Sequence, residues 1–297
     1  MTPRPPDLHP PVGISPRVDC VFRALLGDPQ HTDRLLDFLN AVLGDGPPIV
    51  EVTITNPVKI LDFLGDKEVV VDVLAVDARG ARFQVEMQSR GHAGLKERML
   101  FGWSGLYQRQ SGTGRGYGAL RPVVSIWLVD ENCFRGARDF HHRFAVMSPE
   151  EGIILTNHLD LHVLELERWR QGEAWAVSPA IGRWMAFFSE AEQWSEVPAP
   201  LQSPVIEDAM MVLQTFRDNQ EWNHAYRARL EFQMIQATVE EEHQRELEAA
   251  KQEVERERLE KEKERAEKEQ AIGRAEAALA EAAQLRALLL RAGISPG

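Results

Sequence analysis

Two cysteines in 297 residues leave no disulfide framework and no thiolate metal site. Cys20 and Cys133 lie far apart in sequence and make none of the close spacings that bind zinc, which suits a reducing compartment. No apolar run is long enough to span a bilayer. The N-terminal Met1-Thr2-Pro3-Arg4-Pro5-Pro6 lacks the apolar core of a secretory signal. A soluble, cytoplasmic protein is the expectation. Nucleophile signatures are missing too, since no Gly-x-Ser-x-Gly element occurs. Gly112-Thr113-Gly114-Arg115-Gly116 is glycine-rich but lacks the Lys-Ser/Thr ending of a phosphate-binding loop. His141-His142 and the His158/His162 pair lack a convincing metal spacing, because the local pattern is a strand rather than a helix.

Positive charge is also in short supply. The net charge of −12 argues against easy nucleic-acid binding. Its distribution softens that objection. Residues 1–189 carry 20 Lys+Arg against 23 Asp+Glu, and residues 190–297 carry 14 against 23. The first part is thus −3 and the second −9. Arg98, Arg109, Arg115 and Arg121 could form a local patch for phosphates, or serve surface solubility.

What is present is a pair of acids in apolar surroundings. Asp72 interrupts the run Val69-Val70-Val71-Asp72-Val73-Leu74-Ala75-Val76. After the polar break Asp77-Ala78-Arg79-Gly80 comes Arg82-Phe83-Gln84-Val85-Glu86-Met87-Gln88. Both runs read as short strands joined by turn chemistry. Folding them about Ala78-Arg79 brings Asp72 opposite Glu86 or within one residue of it. Side chains alternate along a strand, so Glu86 and Gln88 share a face and Val85 and Met87 take the other. Two close carboxylates repel each other. A divalent cation removes that problem, and Mg²⁺ favours one or two carboxylates with water and phosphate. The plainer reading is that either acid faces solvent or pairs with an arginine such as Arg98.

These segments resemble the PD-(D/E)XK nuclease superfamily, and within it the Rpn family of recombination-promoting nucleases and transposases. Ser15 to Gly27 is similar to that family's opening helix. Asp66-Lys67-Glu68 through Asp72 to Glu86-Met87-Gln88 is similar to its core hairpin, residues 98–107 to the following helix and residues 122–126 to its next strand. Weaker similarity runs on to about Glu231. The resemblance implies an α/β (α+β) restriction-endonuclease-like core with a mixed sheet flanked by helices. It implies Mg²⁺-dependent hydrolysis of DNA phosphodiesters, linked to recombination or transposition. Asp72 and Glu86 would ligate the metal, and Gln88 would orient the attacking water. Asp19 is a candidate for a second metal shell. The lysine of the superfamily's name is Gln88 here, and a neutral amide cannot lower a water's pKa as an ammonium can. The alternative is a nuclease fold that no longer cuts and recruits a partner through its C-terminal helix.

The expected organisation follows. Residues 1–13 form a disordered or extended lead, 14–189 the nuclease-like core, 190–236 a helical extension, and 237–297 a charged helix or weak coiled coil. Helices are expected at 15–27 (Ser15 capping, Pro16 first), 29–43, 95–110, 180–188 and 205–216, with one long helix from Trp222. Strands are expected at 49–54, 123–129, 140–147 and 159–166. In the tail, Leu247 and Val254 fit one heptad line, but Lys261 and Lys268 follow on it. A homodimer assisted by this helix would place two sites on opposite DNA strands.

Overall fold

The structure, a computed structural model, describes residues 10–44, 46–55, 73–89, 94–111, 116–172 and 179–291. Six strands form one mixed sheet: β1 (Val52–Ile54), β2 (Val73–Asp77), β3 (Arg82–Gln88), β4 (Val123–Val129), β5 (His141–Phe144) and β6 (Leu159–Glu165). Their spatial order is β1-β2-β3-β4-β6-β5. β3, β4 and β6 run parallel, while β1/β2, β2/β3 and β5/β6 are antiparallel pairs. The hairpin register sets Val73 against Val85 and Leu74 against Gln84. Parallel neighbours need a crossover, and helix α3 (Leu95–Gln108) provides it between β3 and β4.

Every residue of β4 is buried, as an apolar run in the middle of a covered sheet should be. Its alternate side chains face two different layers. Val124, Ile126 and Leu128 enter the main core with Phe83 and Val85. That core is closed by α1 (Asp19–Leu26), α2 (Thr32–Leu43), α5 (Pro179–Glu190) and α6 (Pro204–Asp218). Trp127, Val129, Leu161 and Val163 face the other way and pack against Leu95 and Met99 of α3. α1 has only eight residues, too few to stand alone in water. Cys20, Val21, Phe22, Leu25 and Leu26 hold it by burial, at roughly 1.5–3 kcal/mol for each fully buried large aliphatic or aromatic side chain.

Several helix boundaries depart from the sequence expectation. α1 begins at Asp19 rather than at Ser15-Pro16. Ser15 is used elsewhere: its backbone N–H donates to the Tyr226 hydroxyl at 3.2 Å, and its Oγ accepts from Arg17 Nε at 3.3 Å. Tertiary partners thus outweigh the capping preference of the Ser-Pro pair. α2 begins at Thr32 because Asp28 closes a turn around Pro29, its Oδ1 accepting from Gln30 N at 2.9 Å. Gly44 ends α2 as expected, at a φ of +66°. A short helix, α4 (Leu166–Gln171), follows β6 directly and had no signal beyond buried Leu166 and Trp169.

The last helix, α7 (Gln220–Arg291), has 72 residues. The chain divides into two compact units, Met1–Phe232 and Gln233–Gly297. In the second unit the ion pairs Glu241–Arg245 and Glu257–Lys261 form at 3.7 and 3.6 Å, whereas Glu264–Lys268 does not. Leu247 and Val254 are exposed.

At the sheet edge, β5 and β6 enclose a chain of polar groups. His141 Nε2 and His162 Nδ1 lie 2.8 Å apart, and Arg143 grips Asp160 through two bonds of 2.7 and 2.8 Å. Burial, reinforced by His162, His142 and Arg143, pushes His141 down from 6.5 to about 4. Burial alone would raise Asp160, but hydrogen bonds from His162 and Arg143 outweigh it and hold the carboxyl at about 2. The stabilising effect of a neutral His141 is complete above pH 6.5 and is lost as pH falls towards 4. Asp160 acts lower, below its ordinary 3.8. Urea unfolding of the full chain is expected to show lower stability at pH 4.5 than at pH 7. His141→Leu should flatten that slope, and an unchanged slope would show that His141 is not its source.

Candidate functional site

β3 lies at the centre of the hairpin and the parallel sheet, and its second face is polar. Gln84 and Glu86 are buried on it, at 2% and 5% exposure, and Gln88 is half-buried. The β3/β4 register sets Gln84 beside Ser125, Glu86 beside Trp127 and Gln88 beside Val129. Val85 and Met87 take the opposite face and join or abut the main core. The alternation read from the sequence is therefore present at Glu86 and Gln88. Asp72 lies outside the described residues. The described register of β2 and β3 stops at Val73↔Val85.

A buried carboxylate is costly unless its oxygens are met. Gln84 Nε2 donates to Glu86 Oε1 at 2.9 Å, in a fully buried contact two residues along the strand. Sequence reasoning did not single out Gln84. Its carbonyl oxygen is buried and takes no hydrogen bond among the described residues. The roof over it is Gly102 of α3. A Cβ built on Gly102 would stand 3.2 Å from Gln84 Nε2 and 3.6 Å from its Oε1. Glycine in a helix interior costs about 1 kcal/mol relative to alanine. Close approach to Gln84 explains why it is tolerated here. An isolated glycine in an otherwise regular helical pattern was the available signal.

Gln88 sits at the C-terminal end of β3. Arg98 NH1 donates to Gln88 Oε1 at 2.9 Å, and the guanidinium lies over the Trp127 ring, 5.4 Å from its centroid. Trp127 is itself fixed, its Nε1 donating to Ser125 Oγ at 2.9 Å. The neighbouring strand end is tied to the same place. Asp130 N–H donates to Gln88 O at 3.1 Å, and the Asp130 carboxylate accepts from Arg17 at 2.8 Å and Arg170 at 2.7 Å. Ser89 Oγ donates to Arg17 O at 3.3 Å. The C-terminal ends of parallel strands are where open α/β sheets most often hold ligands.

Three of the four arginines grouped from the sequence lie among the described residues. Arg98 and Arg109 lie eleven residues apart, at opposite ends of α3, a rise of about 16 Å. Arg121 lies at the start of β4, its N–H donating to Gln110 Oε1 at 2.9 Å. Arg115 falls outside the described residues. Asp19 is at the first turn of α1. Arg229 of α7 grips both of its carboxylate oxygens, and Cys20 N–H donates to one of them at 2.8 Å.

The histidines take structural positions. His158 Nδ1 meets the Tyr107 hydroxyl at 2.8 Å, and His142 meets Glu165 at 3.2 Å. Among the described residues no group of three or more His, Cys, Asp or Glu side chains could hold a metal ion. Burial raises the Cys20 thiol to about 12 and the Cys133 thiol to about 11, which keeps both protonated and weakly nucleophilic at neutral pH. No helix among the described residues is long and apolar enough to cross a membrane.

A family model described as PD-(D/E)XK nuclease family transposase matches residues 16–242. The chain belongs to this family, and the mixed sheet with flanking helices is consistent with its fold. Membership supports a function related to nucleases and transposases, with DNA as the substrate class and divalent metal ions as the general cofactor class. No curated protein matches the chain, and no solved structure does.

Removing the Gln84 amide takes away a donor to a buried carboxylate and leaves Gly102 above an apolar side chain. Gln84→Leu is expected to cost about 1–3 kcal/mol in urea unfolding at pH 7. A loss well under 0.5 kcal/mol would mean that the Gln84–Glu86 contact is not a significant source of stability.

Proposed function

We propose that this chain is a Mg²⁺-dependent DNA endonuclease that hydrolyses phosphodiester bonds in recombination or transposition. The supporting observation is Glu86, a buried carboxylate on the central strand of a PD-(D/E)XK family member, with Gln88 beside it. Asp72 directly precedes Val73 in sequence, and its partnership with Glu86 is part of this proposal. Two carboxylates are hard oxygen donors of the kind Mg²⁺ takes. Glu86 fits that donor set, and Asp72 and Glu86 would hold the ion. When bound, the ion polarises a phosphate oxygen and makes a bound water more acidic. The chain's own residues do the rest. Gln88 orients the attacking water through its amide. Gln84 fixes the Glu86 carboxylate in one rotamer. α3 closes this face of the sheet against bulk water.

Supercoiled plasmid incubated with the full chain and Mg²⁺ is expected to be nicked or linearised. Asp72→Ala and Glu86→Ala should each reduce cleavage by at least about 10²-fold with the fold retained by circular dichroism. Undiminished cleavage by Asp72→Ala would remove it from the site. No cleavage by the wild-type chain under any divalent ion would favour a nuclease fold kept as a binding module.

The same reading includes a homodimer, since a double-strand cut uses two sites on opposite strands. Leu230, Phe232, Met234, Ile235 and Val239 are exposed along α7 and offer apolar contacts, whereas its charged middle offers pairs worth only about 0–1 kcal/mol. Light scattering on the full chain and on a version ending at Phe232 tests this. The full chain is expected to be a dimer. A monomer for both at well above micromolar concentration would rule the dimer out, and a dimer for both would leave the tail to a protein partner.

A further inference from the structure

The sheet ends in β5, and among the described residues no strand pairs with its outer side. Its hydrogen bonding fixes which backbone groups face outwards. Glu165 N–H donates to Phe140 O at 2.8 Å, so Phe140 and Glu165 form a hydrogen-bonded pair. Such pairs recur at every second residue of an antiparallel ladder, which turns His142 and Phe144 towards β6 and His141 and Arg143 away from it. The hairpin continues past β5 as an arm. Met147 bridges to Ile154, and Leu155 N–H donates to Val146 O and Ser148 N–H to Ile153 O, both at 2.9 Å. Gly152 turns the tip at a φ of +70°. The backbones of Val146 and Ser148 are thus used inside the arm, and those of Ala145 and Met147 face out with His141 and Arg143.

Natural edge strands are blunted by proline, by charged side chains or by a cover. This one is not. Pro149 sits at the tip, beyond the extended segment, and the Arg143 guanidinium is taken up by Asp160. Arg143 through Met147 are all exposed. Phe144, Val146, Met147, Ile153, Ile154 and Leu155 put six large apolar side chains into solvent within twelve residues. Single exposed apolar residues are ordinary, whereas a grouping of this kind marks an interaction surface.

The charges at the two ends of the arm say what covers it. Glu150 and Glu151 are at the tip, and Arg135 and Arg138 lie just ahead of β5 with Asp139 beside them. All five are exposed, and among the described residues none makes an ion pair. An acidic tip repels phosphate, which argues against a DNA backbone as the occupant. A second copy of the arm, running antiparallel, sets each acidic tip beside the other's arginines. Two-fold interfaces are self-complementary in this way.

We propose that the β5 edge and its arm pair with the same edge of a second copy of this chain, antiparallel, about a two-fold axis at Phe144. This deepens the homodimer part of the reading above by naming a surface within the first compact unit, and it does not depend on DNA cleavage. Setting Arg138 opposite the partner's Glu150 fixes the register. Phe144 then meets the partner's Phe144, Arg143 meets the partner's Ala145 and His141 meets the partner's Met147. The last four are outward-facing positions, so the register that joins the charges also joins the outward backbone donors and acceptors. A shift of one residue would set outward-facing groups against inward-facing ones.

The experiment uses full-length protein in a Cys133→Ser background, which leaves only the buried Cys20. Phe144→Cys places two thiols across a non-hydrogen-bonded pair, where Cα atoms stand about 4.5 Å apart and a disulfide can close. Mild oxidation at micromolar concentration is expected to convert most of this variant to a cross-linked dimer. Val50→Cys, just ahead of the opposite edge strand and at an 81% exposed position, is expected to stay largely uncross-linked. Arg138→Glu and Glu150→Arg should each weaken association about tenfold in low-salt sedimentation, because symmetry places each like-charge contact twice. The double variant exchanges the charges and should return to within about threefold of wild type. Thermal unfolding of each protein checks the fold. A position 144 that cross-links no better than position 50 would overturn the proposal, as would a double variant no tighter than either single one. Dimerisation untouched by all these changes would place the contact in α7, overturning the arm and leaving the homodimer. Weaker plasmid binding at unchanged association would assign the arm to DNA and overturn it too. A monomeric wild type would overturn the arm and the homodimer together, while plasmid cleavage tests the endonuclease reading separately.

Discussion

The structure turns on a carboxylate buried in the middle of its sheet. Glu86 sits on β3, the strand that pairs antiparallel on one side and parallel on the other. The main core takes the opposite face of β3, so that face is apolar by necessity. The Glu86 face has to accommodate charge under a helix. The features peculiar to this region follow from that demand. Gln84 is polar and buried because Glu86 needs a donor from inside the protein. Gly102 interrupts a helix because Gln84 fills the space where a Cβ would stand. Ser125 is buried because Trp127 needs an acceptor, and Trp127 provides the surface on which Arg98 lies. A buried polar layer holds only when its groups find partners, and Gln84, Ser125 and Trp127 are paired within this one.

Much of this is legible in the sequence alone. β4 is readable at both ends because seven consecutive buried positions flanked by Pro122 and Asp130 admit little else. The Glu86/Gln88 face follows from the period of two. The hairpin register follows from the turn at residues 78–80, where Asp77 accepts from the N–H groups of Arg79 and Ala81 at 2.9 and 2.8 Å. Expectations fail where a distant partner decides. Ser15 and Pro16 have the local chemistry of a helix start, yet Tyr226, more than two hundred residues away, claims the Ser15 amide. Gln84 looks like one more polar residue in a strand, because its importance lies in what α3 sets above it. Closeness in sequence likewise groups Arg98 with Arg109, whereas the length of α3 sets them about 16 Å apart.

The network at the strand ends shows how the fold keeps the candidate site in register. Asp130 receives Arg17 from ahead of α1 and Arg170 from α4, while its own N–H closes on the Gln88 carbonyl. Three segments remote in sequence thus converge on the residue that follows β4. All three ion-pairing groups are partly exposed, so the pairs contribute less to stability than to position. Glu165 does the equivalent work one strand further on. It is fully buried, accepts from the N–H groups of Cys133 and Phe134, and pairs with Arg168 of α4. The loop after β4 is therefore anchored at both ends by carboxylates whose oxygens meet arginines or backbone N–H groups.

Charge is the last constraint, and it acts locally. A tail rich in Glu, Lys, Arg and Ala holds a helix without a core, because those residues lose little entropy in a helix and their pairs contribute a few tenths of a kcal/mol each. This explains why the last helix is readable from composition although its apolar residues stay exposed. At physiological ionic strength the field of exposed charges fades within about 8 Å. An excess of acidic groups beyond residue 190 therefore weighs little on a site unless it lies within that range. The groups that matter for a phosphodiester are those within reach of it. By that measure the groups packed around Gln88 weigh more than a net charge of −12 does.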